Sequence, residues 1–298
     1  MKKLLAMLLL FSALGAQAVE REINILIPHT PGGSIDKYIR IIQRPLEEKL
    51  KAPVIVKFMP GAGGRIAINH LQNNPSEFNV IVTTNDLLFD LVSRGEQEQF
   101  VLSNVIGETP YIIWAHPAGG LPRFKQQLKA KEIVNIGVFG VKGSQEAWLG
   151  SLTLDSPNFI PYKGGAGMGM DVAGGHTEYT VLTLIAAQEL YVGQRIVPVF
   201  VGSSNKHPLL PSVPTQNELK LTTAKTITPS WWAAFYAPSN ADPATLKNFS
   251  DAVKEVTATA PGMQGLKDIG MIVPNHSGTE AEQFRQHNIK LYNKMQQK

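Results

Sequence analysis

The sequence predicts an α/β protein made of two units, each a mostly parallel sheet flanked by helices. Three observations lead there. Short apolar runs alternate with helical periodicity from Ile23 to Leu91, and the same alternation restarts from Phe124 to Val201. Extended segments, Val101–Glu108 and Ile227–Ala237, lie between the two stretches and would carry the chain from one unit to the other and back. A cleft is expected between the units, and clefts at domain interfaces and at the carboxyl ends of parallel strands are favoured ligand sites.

Taken in order, Ile23–Pro28 reads as a buried strand, and Asp36–Leu50 as a helix with Ile39, Ile42, Leu46 and Leu50 near one face. Pro53–Phe58 is a second strand. The turn "PGAGG" opens a helix over Ile66–Leu71, Asn79–Val82 is a third strand, and Leu87–Leu91 is helical. Val101–His116 is extended. A Lys-rich helix follows near Phe124–Ala130, then strand Val134–Phe139, helix Gln145–Leu152, strand Asn158–Pro161 and helix Met168–Ala173. Strands are expected near Thr177–Thr183 and Arg195–Val201, before the Pro-rich connector "HPLLPSVPTQNEL". "ITPSWWAAFYAP" is extended, so the adjacent Trp231 and Trp232 point to opposite faces. At least one of the two belongs in the core, and the other is able to reach the cleft mouth. Pro243–Thr259 is a long amphipathic helix and Glu280–Gln297 a polar one.

The N-terminus carries an export signal: Lys2 and Lys3, an apolar Leu4–Leu14 too short to span a bilayer, and Ala16-Gln17-Ala18 as cleavage site. Cleavage after Ala18 is expected. The chain has 28 Lys+Arg against 24 Asp+Glu, a balance of +4, which falls to +2 once Lys2 and Lys3 leave with the signal. With no block of five basic residues, nucleic-acid binding has little support. There are no cysteines, which excludes disulfides, thiolate metal sites and Cys nucleophiles. The seven histidines are scattered without metal-ligand spacing. Neither a metal nor a cofactor is expected, and no catalytic residue is assigned. "GAGGRI" is a poor dinucleotide fingerprint, "GVFGVKGS" misses the phosphate-loop spacing, and no G-x-S-x-G elbow occurs.

Four loops share one device. A helix N-terminus offers free backbone N–H groups and a positive dipole end, and glycines let a ligand approach them. "HTPGGSID", "TTND" at 83–86, "GVFGVKGSQ" at 137–145 and "PYKGGAG" at 161–167 each end a strand with Gly, hydroxyl or amide groups. Any one such loop also serves plain turning and capping. Four of them on one two-unit chain point to a polar cleft with anion seats.

These residues resemble a family. "INILIPHTPGGSIDKYIRIIQRPLEEKLKAPVIVKFMPGAGGRIAINHL", "PYKGGAGMGMDVAGGHTEY", "LPSVPTQNEL" and "WWAAFYAPSNADPATLKNFSDAV" are similar, in that order, to the Bug-type receptors of tripartite tricarboxylate transporters. The resemblance implies a two-lobed periplasmic binding protein of type II-like fold, acting as a monomer and not as an enzyme. Residues 19–102 plus 230–298 would form lobe 1 and residues 103–229 lobe 2. Such a receptor traps a small organic carboxylate and delivers it to a two-subunit integral-membrane permease. It holds the ligand by backbone amides, hydroxyls and waters. Carried over by position, the first-lobe contacts are Thr30, Pro31, Gly32, Gly33, Ser34 and Asp36, with Thr84 and Asn85. The second-lobe contacts are Val141, Lys142, Gly143, Ser144 and Gln145, with Tyr162, Lys163 and Gly164.

The chain departs from the family pattern where Lys142 lengthens its loop, at Glu146-Ala147-Trp148, at Thr177-Glu178 and Val181, and at Ser76-Glu77-Phe78. These positions bear on the ligand rather than the fold. A cleft-facing Lys142 or Lys163 would meet a second carboxylate and favour a di- or tricarboxylate. Asp36, beside an anion seat, suits a bridging water, a ligand amine or the helix dipole. A sensor that presents its ligand to a signalling partner shares these features. A hydrolase would need a nucleophile–base pair that no motif supplies.

Overall fold

A computed structural model of the chain describes residues 22–296, apart from 75–77, 141–142, 156, 224–225, 227–229, 260–263, 266, 269 and 273–275. The expected export signal, together with Val141 and Lys142, lies outside the described residues.

Two sheets organise the chain. The first contains β1 (Ile23–Ile27), β2 (Val54–Phe58), β3 (Phe78–Thr84), β4 (Phe100–Pro110), β10 (Ser230–Pro238) and β11 (His276–Ser277), in the order β11-β4-β10-β3-β1-β2. The second contains β5 (Ile112–Ala115), β6 (Asn135–Phe139), β7 (Asn158–Tyr162), β8 (Tyr179–Leu182) and β9 (Val197–Val201), in the order β7-β6-β8-β5-β9. Helices α1 (Ser34–Leu50), α2 (Arg65–Asn73), α3 (Asn85–Ser93), α8 (Pro243–Ala258) and α9 (Thr279–Gln296) pack with the first sheet. Helices α4 (Gly120–Ala130), α5 (Ser144–Ser151), α6 (Gly165–Ala173) and α7 (Leu184–Val192) belong with the second.

The sheets are mixed rather than mostly parallel. Strands linked through helices run parallel: β1 with β2 and β3, and β6 with β7 and β8. The strands that carry or receive the crossing chain run antiparallel to their neighbours: β10 against β3 and β4, and β5 against β8 and β9. A helical crossover imposes parallel direction, whereas a strand arriving from the other sheet is free of that constraint. The extended stretch 101–116 therefore splits at Tyr111, where β4 ends in one sheet and β5 begins in the other. Gly202 N–H donates to the Tyr111 carbonyl at 2.8 Å and ties the return path to the same point.

The alternating side chains of the central strands sort onto two faces. On β10, Trp231, Ala233, Phe235 and Ala237 join one apolar cluster, and Trp232, Ala234 and Tyr236 the other. The two tryptophans thus point apart, as a period of two requires. On the first face Phe249 of α8 meets Phe78 at 5.8 Å and Phe235 at 5.1 Å. On the second, Trp232 donates through Nε1 to Asn288 Oδ1 at 3.1 Å. In α1 the buried Ile35, Tyr38, Ile39, Ile42 and Leu46 form one stripe at helical spacing. One helix was not expected from periodicity: α7, whose "LIAAQELYV" is apolar on several sides. Among the described residues no helix is long and apolar enough to cross a membrane.

Candidate functional site

The N-termini of α1, α3, α5, α6 and α7 converge on one cavity of about 60 Å³ between the two sheets. Its lining includes His29, Thr30, Gly33, Ser34, Asp36, Thr84 and Asp86 from the first unit. Phe139, Gln145, Gly165, Met168 and Thr183 line it from the second, with Tyr111 at the crossing point and Trp231 of β10.

Each loop places its groups by a local rule. Before α1, Gly32 has φ +86°, the left-handed region that suits glycine. Its N–H donates to Asp36 Oδ2 at 2.7 Å, while Asp36 Oδ1 pairs with Arg40 Nε at 2.8 Å. Asp36 thus holds its own loop and turn. Ser34 Oγ lies 2.7 Å from Thr183 Oγ1, the hydroxyl that caps α7 by accepting from Ala186 N–H at 3.4 Å. Between α1 and α7, Lys37 Nζ pairs with Glu189 Oε1 at 2.9 Å. The units therefore touch directly, and the arrangement is a closed one.

The cavity floor is a hydrogen-bond chain. Tyr111 Oη donates to Asn85 Oδ1 at 3.1 Å, and Asn85 Nδ2 donates to Ser144 Oγ at 3.0 Å. Ser144 Oγ–H in turn donates to Asp86 Oδ1 at 2.6 Å, which also accepts the Ser144 backbone N–H at 3.2 Å. Thr84 Oγ1 donates to Asp86 Oδ2 at 3.1 Å. Helix α5 starts after Gly143 with no cap from its own side chains, so the Asp86 carboxylate of the facing unit serves as its N-terminal acceptor. Burial pushes the Asp86 carboxyl above its ordinary value, against the lowering effect of the Ser144 and Thr84 bonds. Burial, then the Asp86 charge, raise Tyr111 far above the usual phenol range.

Of the residues expected to bind ligand, Thr30, Gly33, Ser34, Asp36, Thr84 and Gln145 meet in this cavity. Asn85 and Ser144 lie just behind it in the floor chain, with Gly143 against Asp86. Gly164 sits against Thr30 across the cleft. Pro31 and Gly32 are exposed. Tyr162 turns its hydroxyl to Asp171 Oδ2 at 2.7 Å and Thr177 Oγ1 at 2.8 Å. Lys163 is exposed and does not line the cavity, so it gives no support to a second carboxylate there. His29, Asp86, Tyr111, Phe139 and Thr183 were not anticipated. Asp86 stands in the quoted "TTND", and His29 heads the quoted "HTPGG". Phe139 stands in "GVFGVKGSQ", and Tyr111 and Thr183 reach the cavity through pairings distant in sequence. Among the described residues no group of three or more His, Asp or Glu is placed to hold a metal ion.

His29 offers a pH test. Its ring lies 4.7 Å from Phe139 and its Nε2 3.3 Å from Thr83 Oγ1. Burial holds its pKa down at about 4. Because the folded value is below the unfolded 6.5, the unfolded chain binds the proton first as pH falls. This stability contribution is present above about pH 6.5 and is lost toward pH 4. His29→Gln should reduce the loss between pH 7.5 and 4.5 by about 2–3 kcal/mol, read as urea midpoints at each pH. An equal loss in both proteins would refute this role.

The comparisons with known proteins agree with the geometry. The family model described as Tripartite tricarboxylate transporter family receptor matches residues 117–298, more than half of the chain. Protein BugT of Bordetella pertussis is 26% identical over 238 residues, covering 75% of this chain and 72% of BugT. MatC (Rpa3494) of Rhodopseudomonas palustris with bound malate superposes with a TM-score of 0.81 at 20% identity, covering 92% of this chain and 98% of MatC. Rpa4515 of R. palustris with adipate superposes with a TM-score of 0.82 at 20% identity, covering 93% of this chain and 96% of that one. These likenesses establish a two-lobed binding-protein fold, and the family match makes this chain a member of the tripartite tricarboxylate transporter receptor family.

Proposed function

We propose that this protein is a periplasmic solute receptor that closes two lobes over a small organic carboxylate and presents the closed form to a two-subunit membrane permease. The observation that carries the reading is the convergence of helix N-termini from both sheets on one cavity. Such ends bind carboxylate oxygens through backbone N–H groups without a fixed cation. Family membership supports the same role, and two structural relatives hold malate and adipate. We take the lobes to be the two sheets with their helices, hinged where the chain passes between them at Tyr111. Ligand touching both lobes favours closure by its differential affinity for the closed state.

A thermal-shift screen of residues 19–298, refolded from denaturant to strip bound solute, tests this. A ligand at about a hundred times its dissociation constant adds roughly 2.7 kcal/mol. Carboxylates are expected to shift the transition while sugars do not. A panel in which no acid produces a shift would overturn the reading.

A further inference from the structure

Five helix N-termini face the cavity, and the protein already supplies acceptors at three of them. Thr84 caps α3, Thr183 caps α7, and the Asp86 carboxylate stands at α5. Helices α1 and α6 differ: each begins after a glycine, Gly33 and Gly164, with no side-chain cap. Asp36 takes only the loop N–H of Gly32, ahead of α1. Ser34, the first residue of α1, and Gly165, the first of α6, both line the cavity. That corner is the seat left for a ligand carboxylate.

The charge that the described lining brings to the cavity is negative. Its described lining holds two carboxylates, Asp36 and Asp86, and no Lys or Arg. Asp36 is neutralised locally by Arg40. Among the described residues Asp86 has only hydroxyl and amide donors: Ser144, Thr84 and its own backbone. A second ligand carboxylate arriving at α5 would displace the Asp86 contacts or face a like charge in a desolvated space. Either outcome is unfavourable. A neutral donor meets no such penalty and gains a charge-assisted hydrogen bond.

We propose that Asp86 is a specificity residue that restricts the cleft to ligands with one carboxylate and a hydrogen-bond donor at the opposite end, and disfavours dicarboxylates. This rests on the carboxylate-receptor reading above and narrows it. The carboxylate sits at the α6 and α1 ends, the aliphatic body lies against Met168 and Phe139, and the donor points to Asp86. The same carboxylate holds α5 of the facing lobe, so reading the ligand and holding the closed cleft fall to one residue.

Matched pairs differing only in one terminal group test it by calorimetry: succinate with succinamate, glutarate with glutaramate, adipate with adipamate. The wild-type protein should bind the mono-amide at least tenfold more tightly than its dicarboxylate partner. Asp86→Asn should shrink or reverse that ratio by at least tenfold. The wild-type ratio stands on its own should the variant fail to fold. Equal or tighter binding of the dicarboxylate by the wild type overturns the proposal, as does an unchanged ratio in a folded Asp86→Asn. Binding of only di- or tricarboxylates from the wider panel overturns it too. A protein that binds no carboxylate of any kind instead removes the receptor reading, a separate and distinguishable failure.

Discussion

Trp148→Ala should lower the unfolding free energy by about 3–5 kcal/mol, the range for removing a large buried aromatic. The ring is fully buried. It stacks on Tyr111 with centroids 5.7 Å apart and an 18° tilt, and meets Phe200 edge-on at 6.1 Å. Its Nε1 donates to Gln216 Oε1 at 2.9 Å, tying α5 to the Pro-rich connector. Gly202 leaves room for it: a Cβ there would overlap the indole ring. Truncation removes the area, the stacking and the hydrogen bond together. Guanidinium unfolding of the ligand-free protein measures the loss, and a change below about 1 kcal/mol would show that the ring is not a keystone of this lobe.

The second large effect is on binding rather than stability. Gly164→Ala should weaken ligand binding by about thirtyfold or more while leaving the ligand-free melting temperature nearly unchanged. A Cβ at Gly164 would collide with Thr30 Oγ1 and lie 3.3 Å from the Thr30 backbone N. Gly164 is extended, at φ 174°, so alanine meets no backbone strain there. Thr30 and Gly164 belong to opposite lobes, so the collision exists only when the cleft is shut. A penalty of about 2 kcal/mol on the closed state costs about thirtyfold in apparent affinity. Thr30→Ala in the same chain removes the hydroxyl half of the clash and should recover part of the loss. Wild-type affinity for Gly164→Ala, measured by calorimetry, would show that ligand binds without this closure.

Much of the fold was legible because its signals are local. The period of two in "WWAAFYA" places Trp231 and Trp232 on opposite faces whatever else the chain does, and both faces prove to be apolar. The stripe Ile39, Ile42, Leu46 announces α1 in the same way. Helix α7 was missed for the converse reason. Its apolar residues are spread around the helix, exposed Val192 included, and without a clear apolar stripe there is no periodicity to read. Strand direction was also out of reach. Parallel pairing is implied where a helix intervenes, but β5 and β10 take their direction from the sheet they enter.

The site divides along the same line. Glycines, hydroxyls and amides at strand-to-helix joints mark Thr30–Ser34, Thr84–Asn85 and Gly143–Gln145 as a polar cleft, since their chemistry is a property of a few consecutive residues. Which lysine faces the ligand is not such a property: Lys163 stands in the right loop and points outward. Nor is the use made of Asp86, whose partner Ser144 is 58 positions away. By itself the sequence determined the class of the fold, its two-unit plan and the polar strand-to-helix joints of its loops, because backbone periodicity and helix-end chemistry are set within a few residues. Only the tertiary structure decided which helix ends remain free and which carboxylate turns inward, because those depend on the meeting of two lobes that no local pattern encodes.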